Sequence, residues 1–117
     1  MNIERAYLNF TSLSLPTQWQ LTKAKRQYLK EHNTCAVCGH NKDLEVHHIV
    51  PVHIDSSKAV DQDNFITLCD LGNKGCHYVF GHLRNFRTLW NPNIVEFAEV
   101  VRAMLNALNT SQILKDS

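Results

Sequence analysis

The stretch Cys35–His82, CAVCGHNKDLEVHHIVPVHIDSSKAVDQDNFITLCDLGNKGCHYVFGH, holds all four cysteines of the chain and every histidine except His32. Inside it, LEVHHIV (Leu44–Val50) and NFITLC (Asn64–Cys69) are short runs with β-branched residues, which predict two antiparallel strands. Pro51 ends the first, and the thirteen residues 51–63 form a connection long enough to be functional. Gly72, Asn73 and Gly75 signal a turn after the second strand. CHYVFGHLRNF then reads as a helix from about Cys76 to Leu89. The order is strand, loop, strand, helix.

Working outward, Pro16 opens a helix over about residues 16–32, since proline is tolerated where a backbone donor would be orphaned. Leu21, Ala24 and Tyr28 form its packing face, and Lys23, Arg26 and Lys30 repeat the same spacing about 200° away. That basic face is either solvated or a contact to phosphate. A last helix is expected over about residues 93–108, with Ile94, Phe97, Val101, Met104 and Leu108 three and four apart and Asn91 or Asn93 as its cap. Two heptads are short for a coiled coil, so docking on the domain's own core is preferred to dimerisation. Residues 1–15 read as an N-terminal arm and 16–117 as one domain, with its core at about 35–89.

The length of 117 residues suits one small domain. With 44% hydrophobic and 20% charged residues the composition is that of a globular protein. A formal charge of +1 is too balanced to indicate a polyanionic partner by itself. No run approaches the roughly 18 apolar residues of a membrane span, and the N-terminus lacks a signal-peptide pattern, so a cytoplasmic protein with no membrane partner is expected.

In a reducing compartment an even set of cysteines points to metal. Cys35 and Cys38 form C-x2-C, Cys69 and Cys76 form C-x6-C, and two such knuckles supply the four thiolates of a structural zinc. A disulfide, a redox C-x-x-C, or His40 or His32 in place of one cysteine are the competing readings. Such a zinc would contribute folding energy directly to so small a core.

His47 and His48 are adjacent on a strand, so their imidazoles point to different sides and have different jobs. His77 follows Cys76, so the first metal would fix the start of the helix carrying this imidazole. That makes the space between strand and helix a candidate for a second, separate cation site.

CAVCG, LEVHHIVP, DNFITLC and CHYVFGH, in this order, resemble the HNH endonucleases of the ββα-metal superfamily, in particular its small zinc-bearing phage and bacterial members. The likeness covers roughly residues 35–85 and takes in the WQLTKAKRQYLKEH segment before the first cysteine. It implies an α+β fold with a ββα-metal core and a four-cysteine zinc site, flanked by an N-terminal and a C-terminal helix. It also implies a metal-dependent DNA endonuclease, a hydrolase working by a one-metal mechanism that leaves 5′-phosphate and 3′-hydroxyl ends.

By that resemblance His47 and His77 hold the catalytic divalent ion, Mg2+ or Mn2+, and His48 is the general base. Asn64 bonds the loop backbone so that His48 faces the phosphate. A neutral imidazole with an ordinary pKa near 6.5 suits a base at neutral pH. A bond from its other nitrogen to a carbonyl would fix the tautomer.

Two features depart from the family. Its usual C-x2-C is C-x6-C here, which moves His77 to thirteen residues after Asn64. A further histidine common in the family, four residues after the last, falls on Gly81; His82, one residue on, is turned about 140° from His77 on an α-helix and is expected outside the ligand set.

Arg84 and Arg87 on the catalytic helix, with Lys23, Arg26, Lys30 and His53, are candidate contacts to the nucleic-acid backbone, which position without reading sequence. Glu45, two residues before His47 on the strand, is a candidate to orient that ring. Double-stranded DNA is the expected partner, with a homodimer or a phage or host protein left open. The alternative function is a non-catalytic zinc-stabilised module that binds DNA or protein.

Overall fold

The computed structural model describes residues 16–71 and 75–116. The N-terminal arm therefore lies outside the described residues, as do Gly72 and Asn73 of the expected turn.

Helix α1 spans Gln18–Glu31. Thr17 caps it in a reciprocal capping box with Gln20, which satisfies two backbone donors that a helix start otherwise leaves orphaned. Pro16 stands just ahead of the cap. Ala24 is buried and packs with Val46 and Phe65, joined by Tyr28 and Leu29. Tyr28 also donates its hydroxyl to the Phe65 carbonyl at 3.0 Å, tying helix to sheet. Lys23, Arg26 and Lys30 are exposed.

Strands β1 (Leu44–His48) and β2 (Phe65–Cys69) pair antiparallel, with Val46 opposite Thr67 and His47 opposite Ile66. Every residue of β2 is buried, because the two-stranded sheet is covered on both faces. One face takes α1. The other carries the larger core of Val37, Ile66, Leu68, Ile94 and Ala98 around the cysteines. Between the strands the chain makes two short 3-10 turns, Ser56–Lys58 and Gln62–Asn64, capped by the side chains of Asp55 and Asp61.

The expected helix from Cys76 to Leu89 does not form as such. A single π-helical turn covers His77–Gly81, and irregular turns follow. Leu83 and Arg84 both adopt left-handed backbone (φ 50° and 68°), which no α-helix of L-residues continues through. The Arg84 N–H turns back to the Tyr78 carbonyl at 2.9 Å, and the Asn91 N–H closes on Gly81 at 2.8 Å. Arg84 and Arg87 thus lie on an exposed turn and do not share a helix face.

The last helix, α2, runs Ile94–Asp116, longer than the apolar pattern indicated. The Asn91 side chain accepts from the Asn93 N–H, and Phe97 makes its first backbone bond to Asn93. Ile94 and Ala98 are buried in the main core, with Phe97 and Val101 packed against it. Met104 and Leu108 are exposed, so docking on the domain's own core accounts for only the first part of the stripe. Further along the same helix, Arg102 lies over Gly39, whose φ of +79° suits the tight turn of the first thiol knuckle and where a β-carbon would meet the guanidinium. No helix of the described residues is long and apolar enough to cross a membrane.

Candidate functional site

The two ends of the sheet carry two clusters of metal-ligating atoms. At the first, the Sγ atoms of Cys35, Cys38, Cys69 and Cys76 lie within 4.8 Å of one another. Cys38 and Cys69 are 3.8 Å apart, which matches the edge of about 3.8 Å that a tetrahedron with Zn–S arms of about 2.3 Å requires. All four are free thiols, and neither His32 nor His40 enters the cluster. The Cys35 thiol is held well below its ordinary pKa by the Cys76 side chain bonding to it, and Cys76 is pushed up by the same bond. Ionisation of Cys35 is thus favoured at the expense of Cys76, and a divalent cation would let all four become thiolates. The Cys76 N–H points at Cys69 Sγ (3.3 Å), supplying one hydrogen bond to the sulfur set.

The second cluster comprises His47, His77 and His82, again within 4.8 Å. His47 stands on β1 facing the π-turn, and its ring lies 5.1 Å from that of His77 and 4.7 Å from that of His82. His82, expected outside the set, joins it because the turn is π-helical. Its N–H bonds the His77 carbonyl five residues back at 3.0 Å, and this wider turn returns residue i+5 to the side of residue i.

Gly81 makes the packing possible. A β-carbon there would lie 3.0 Å from Leu68 Cδ1 and 3.3 Å from His47 Cε1, so even a methyl group would press on both side chains.

Three observations show that this cluster suits a cation. His47 Nε2 and His77 Nδ1 are buried without any hydrogen-bond partner, and each orphaned polar atom of that kind carries a desolvation cost. His82 Nδ1 lies 3.0 Å from the Leu89 carbonyl, which can only accept, so the proton is on Nδ1 and the lone pair on Nε2. Burial, reinforced by the neighbouring imidazoles and Lys25, pushes His47 down to about 3. His77 is down to about 4, by burial and His82. Both are therefore neutral at physiological pH.

His48 points to the other side of β1, beside Phe65 at a ring distance of 5.3 Å. Its Nε2 donates to the Ala59 carbonyl at 2.8 Å, leaving the Nδ1 lone pair as the basic atom. Burial lowers its pKa below the ordinary 6.5, the bond to Ala59 opposing the shift.

Asn64 is buried and bridges the connection: its Nδ2 donates to the carbonyls of Val50 (3.0 Å) and Lys58 (3.2 Å), and its Oδ1 accepts from the Val50 N–H (2.8 Å). The Lys58 carbonyl is one residue before Ala59. One amide therefore ties the end of β1 to the loop that anchors His48.

His47, His48, His77 and His82 line one groove of about 240 Å3, with Lys25, Glu45, Pro51 and Val52. Residues 35–78 match the profile of a family described as HNH endonuclease. That segment, and not the whole chain, is what is similar to an HNH domain. No curated protein and no solved structure gives a match. The HNH segment spans both thiol pairs, both strands, Asn64 and the first of the π-turn histidines, and ends before His82.

Of the other residues singled out, Lys23 lines a separate hollow of about 680 Å3 between α1 and Ser56–Gln62, where its ammonium sits 5.1 Å above the Trp19 ring. Arg26, Lys30, Arg84 and Arg87 are exposed and none lines the histidine groove. His53 is exposed, with its ring 5.8 Å from Trp90. Glu45 pairs with Lys25 at 4.0 Å, while His47 Nε2 has no partner. Sequence reasoning missed two groove residues. His82 was discounted by α-helical geometry. Lys25 was passed over because it lies off the basic face; the available signal was a lysine one turn from both Leu21 and Leu29 on the half-buried side.

Proposed function

We propose that this HNH domain is a divalent-cation-dependent DNA endonuclease with His48 as general base. The observation that carries the reading is the placement of a neutral, tautomer-fixed His48 in the same groove as two buried imidazole nitrogens with no partner. His47, His77 and His82 would hold Mg2+ or Mn2+, and the four cysteines a structural zinc. When bound, the groove cation stabilises negative charge on the phosphate and on the departing oxygen.

The rest belongs to the side chains. Nδ1 of His48 takes a proton from water as the water oxygen bonds to phosphorus and the P–O3′ bond breaks. The 3′ oxygen leaves and takes a proton from solvent, and His48 returns its proton to solvent. Products are a 5′-phosphate and a 3′-hydroxyl. Asn64 keeps the Ala59 carbonyl where it orients His48. The exposed Arg84 and Arg87, on the turn that follows the π-turn, hold the duplex backbone. The protein acts on DNA in the cytoplasm.

Incubating supercoiled plasmid with zinc-loaded protein tests this. Relaxed or linear DNA is expected with Mg2+ or Mn2+, none with EDTA, and none with His48→Ala. Intact plasmid under every cation, with DNA retained in a mobility shift, would instead mark a non-catalytic binding module.

A further inference from the structure

Helix α1 carries basic residues on two sides, and only one side reaches the histidines. Lys25 follows the buried Ala24 at the contact between helix and sheet, and its side chain is 28% exposed. A lysine there covers its methylene stem and leaves its ammonium free to reach past the edge. Lys25 lines the groove together with His47, His48, His77 and His82, and its ammonium is 4.0 Å from Glu45, another lining residue. The ammonium is close enough to oppose protonation of His47, His48 and His77.

Among the described residues Lys25 and Glu45 form an ion pair at 4.0 Å, with Glu45 45% exposed. A half-exposed pair at that distance contributes little to stability, so it exchanges readily for a better anion. A phosphate oxygen is such an anion, and the groove presents it with Lys25 beside the imidazoles. Glu45, on the same face of β1 as His47, keeps the ammonium at the groove until the strand arrives.

We propose that Lys25 contacts a phosphate of the DNA strand lying in the histidine groove, exchanging Glu45 for a phosphate oxygen as the strand binds. This rests on DNA being the ligand of that groove, and makes Lys25, not Lys23, Arg26 or Lys30, the functional cation of α1.

The test is binding of a fluorescently labelled DNA duplex by zinc-loaded protein, without added divalent cation, across a salt series. Lys25→Met keeps the stem and removes the charge. It is expected to weaken binding about tenfold and to reduce the slope of log affinity against log salt by about 0.9, the signature of one lost phosphate contact. Lys25→Arg restores the slope, which a purely structural role would not produce. An unchanged slope and affinity in Lys25→Met overturns the proposal; should that variant fail to fold, Lys25→Gln is read the same way. Plasmid cleavage separates the two claims. A parent protein that binds with the Lys25-dependent slope but never cuts defeats the nuclease reading alone, and a parent that cuts while Lys25→Met binds normally defeats this one alone.

Discussion

The backbone N–H of His82 bonds the carbonyl of His77 at 3.0 Å, five residues apart, and their rings lie 4.9 Å from each other. One hydrogen bond of π-helical length thus decides whether the imidazole cluster has two members or three. Gly81, between them, supplies the space into which the His47 ring packs.

Gly81→Ala forces a β-carbon against Leu68 and His47 in a packed core, an overpacking that costs about 1–3 kcal/mol. The expected result is a lower urea midpoint together with weaker Mn2+ binding. A variant with the parent's midpoint and affinity would show that the close approach constrains nothing. His82→Ala should spare the urea midpoint and weaken Mn2+ at least about tenfold.

Asn64→Ala removes three hydrogen bonds at a buried position and leaves the Val50 N–H and carbonyl without their partner, while the Lys58 carbonyl keeps the Asp61 N–H at 3.4 Å. A loss of about 2–3 kcal/mol is expected, since buried groups left unpaired carry their desolvation cost. Cleavage should fall further than stability, because the loop that orients His48 is released. Chemical unfolding and plasmid cleavage measured side by side check this; full activity in Asn64→Ala would refute the tether.

Cys38 is the exposed member of the sulfur cluster, so Cys38→Ser removes little packing. Zinc content and melting temperature should nevertheless fall together, because cation binding is coupled to folding in so small a domain. Parental melting with one sulfur ligand missing would show the thiols to be dispensable.

Acid should switch the site off at lower pH than a free imidazole would. Burial lowers the His48 pKa from 6.5, so the neutral, proton-accepting form persists below that pH as well as above it. The acid limb of kcat is therefore expected below pH 6.5. In the metal-free imidazole cluster, His47 and His77 bind protons more weakly folded than unfolded, so their contribution to stability is present above about pH 6.5 and is lost as pH falls toward about 4 and then about 3. An acid limb at or above 7 would contradict the assignment of His48.

Much of this was legible in the chain. β-branched runs ending in Pro51 and Cys69 located both strands, and strand alternation put the rings of His47 and His48 on opposite faces of β1. Thiol spacing located the sulfur cluster. The stretch after Cys76 was misread because apolar spacing reports the intended packing face and not the hydrogen-bond register. Nothing in HYVFGH distinguishes a four-residue from a five-residue closure, and the left-handed Leu83 and Arg84 carry no glycine to announce the break. The groove position of Lys25 was hidden for a related reason: a lysine on a half-buried helix face is informative only once it is known what the helix packs against.

Calorimetric titration of zinc-loaded protein with Mn2+ addresses the two-site arrangement most directly. One Mn2+ per chain is expected, unchanged in Lys30→Ala and lost or weakened at least about tenfold in His47→Ala and His77→Ala, with the zinc content of all variants intact. No Mn2+ uptake by the parent, or uptake undiminished when His47 and His77 are removed, would contradict a cation site built from the imidazoles.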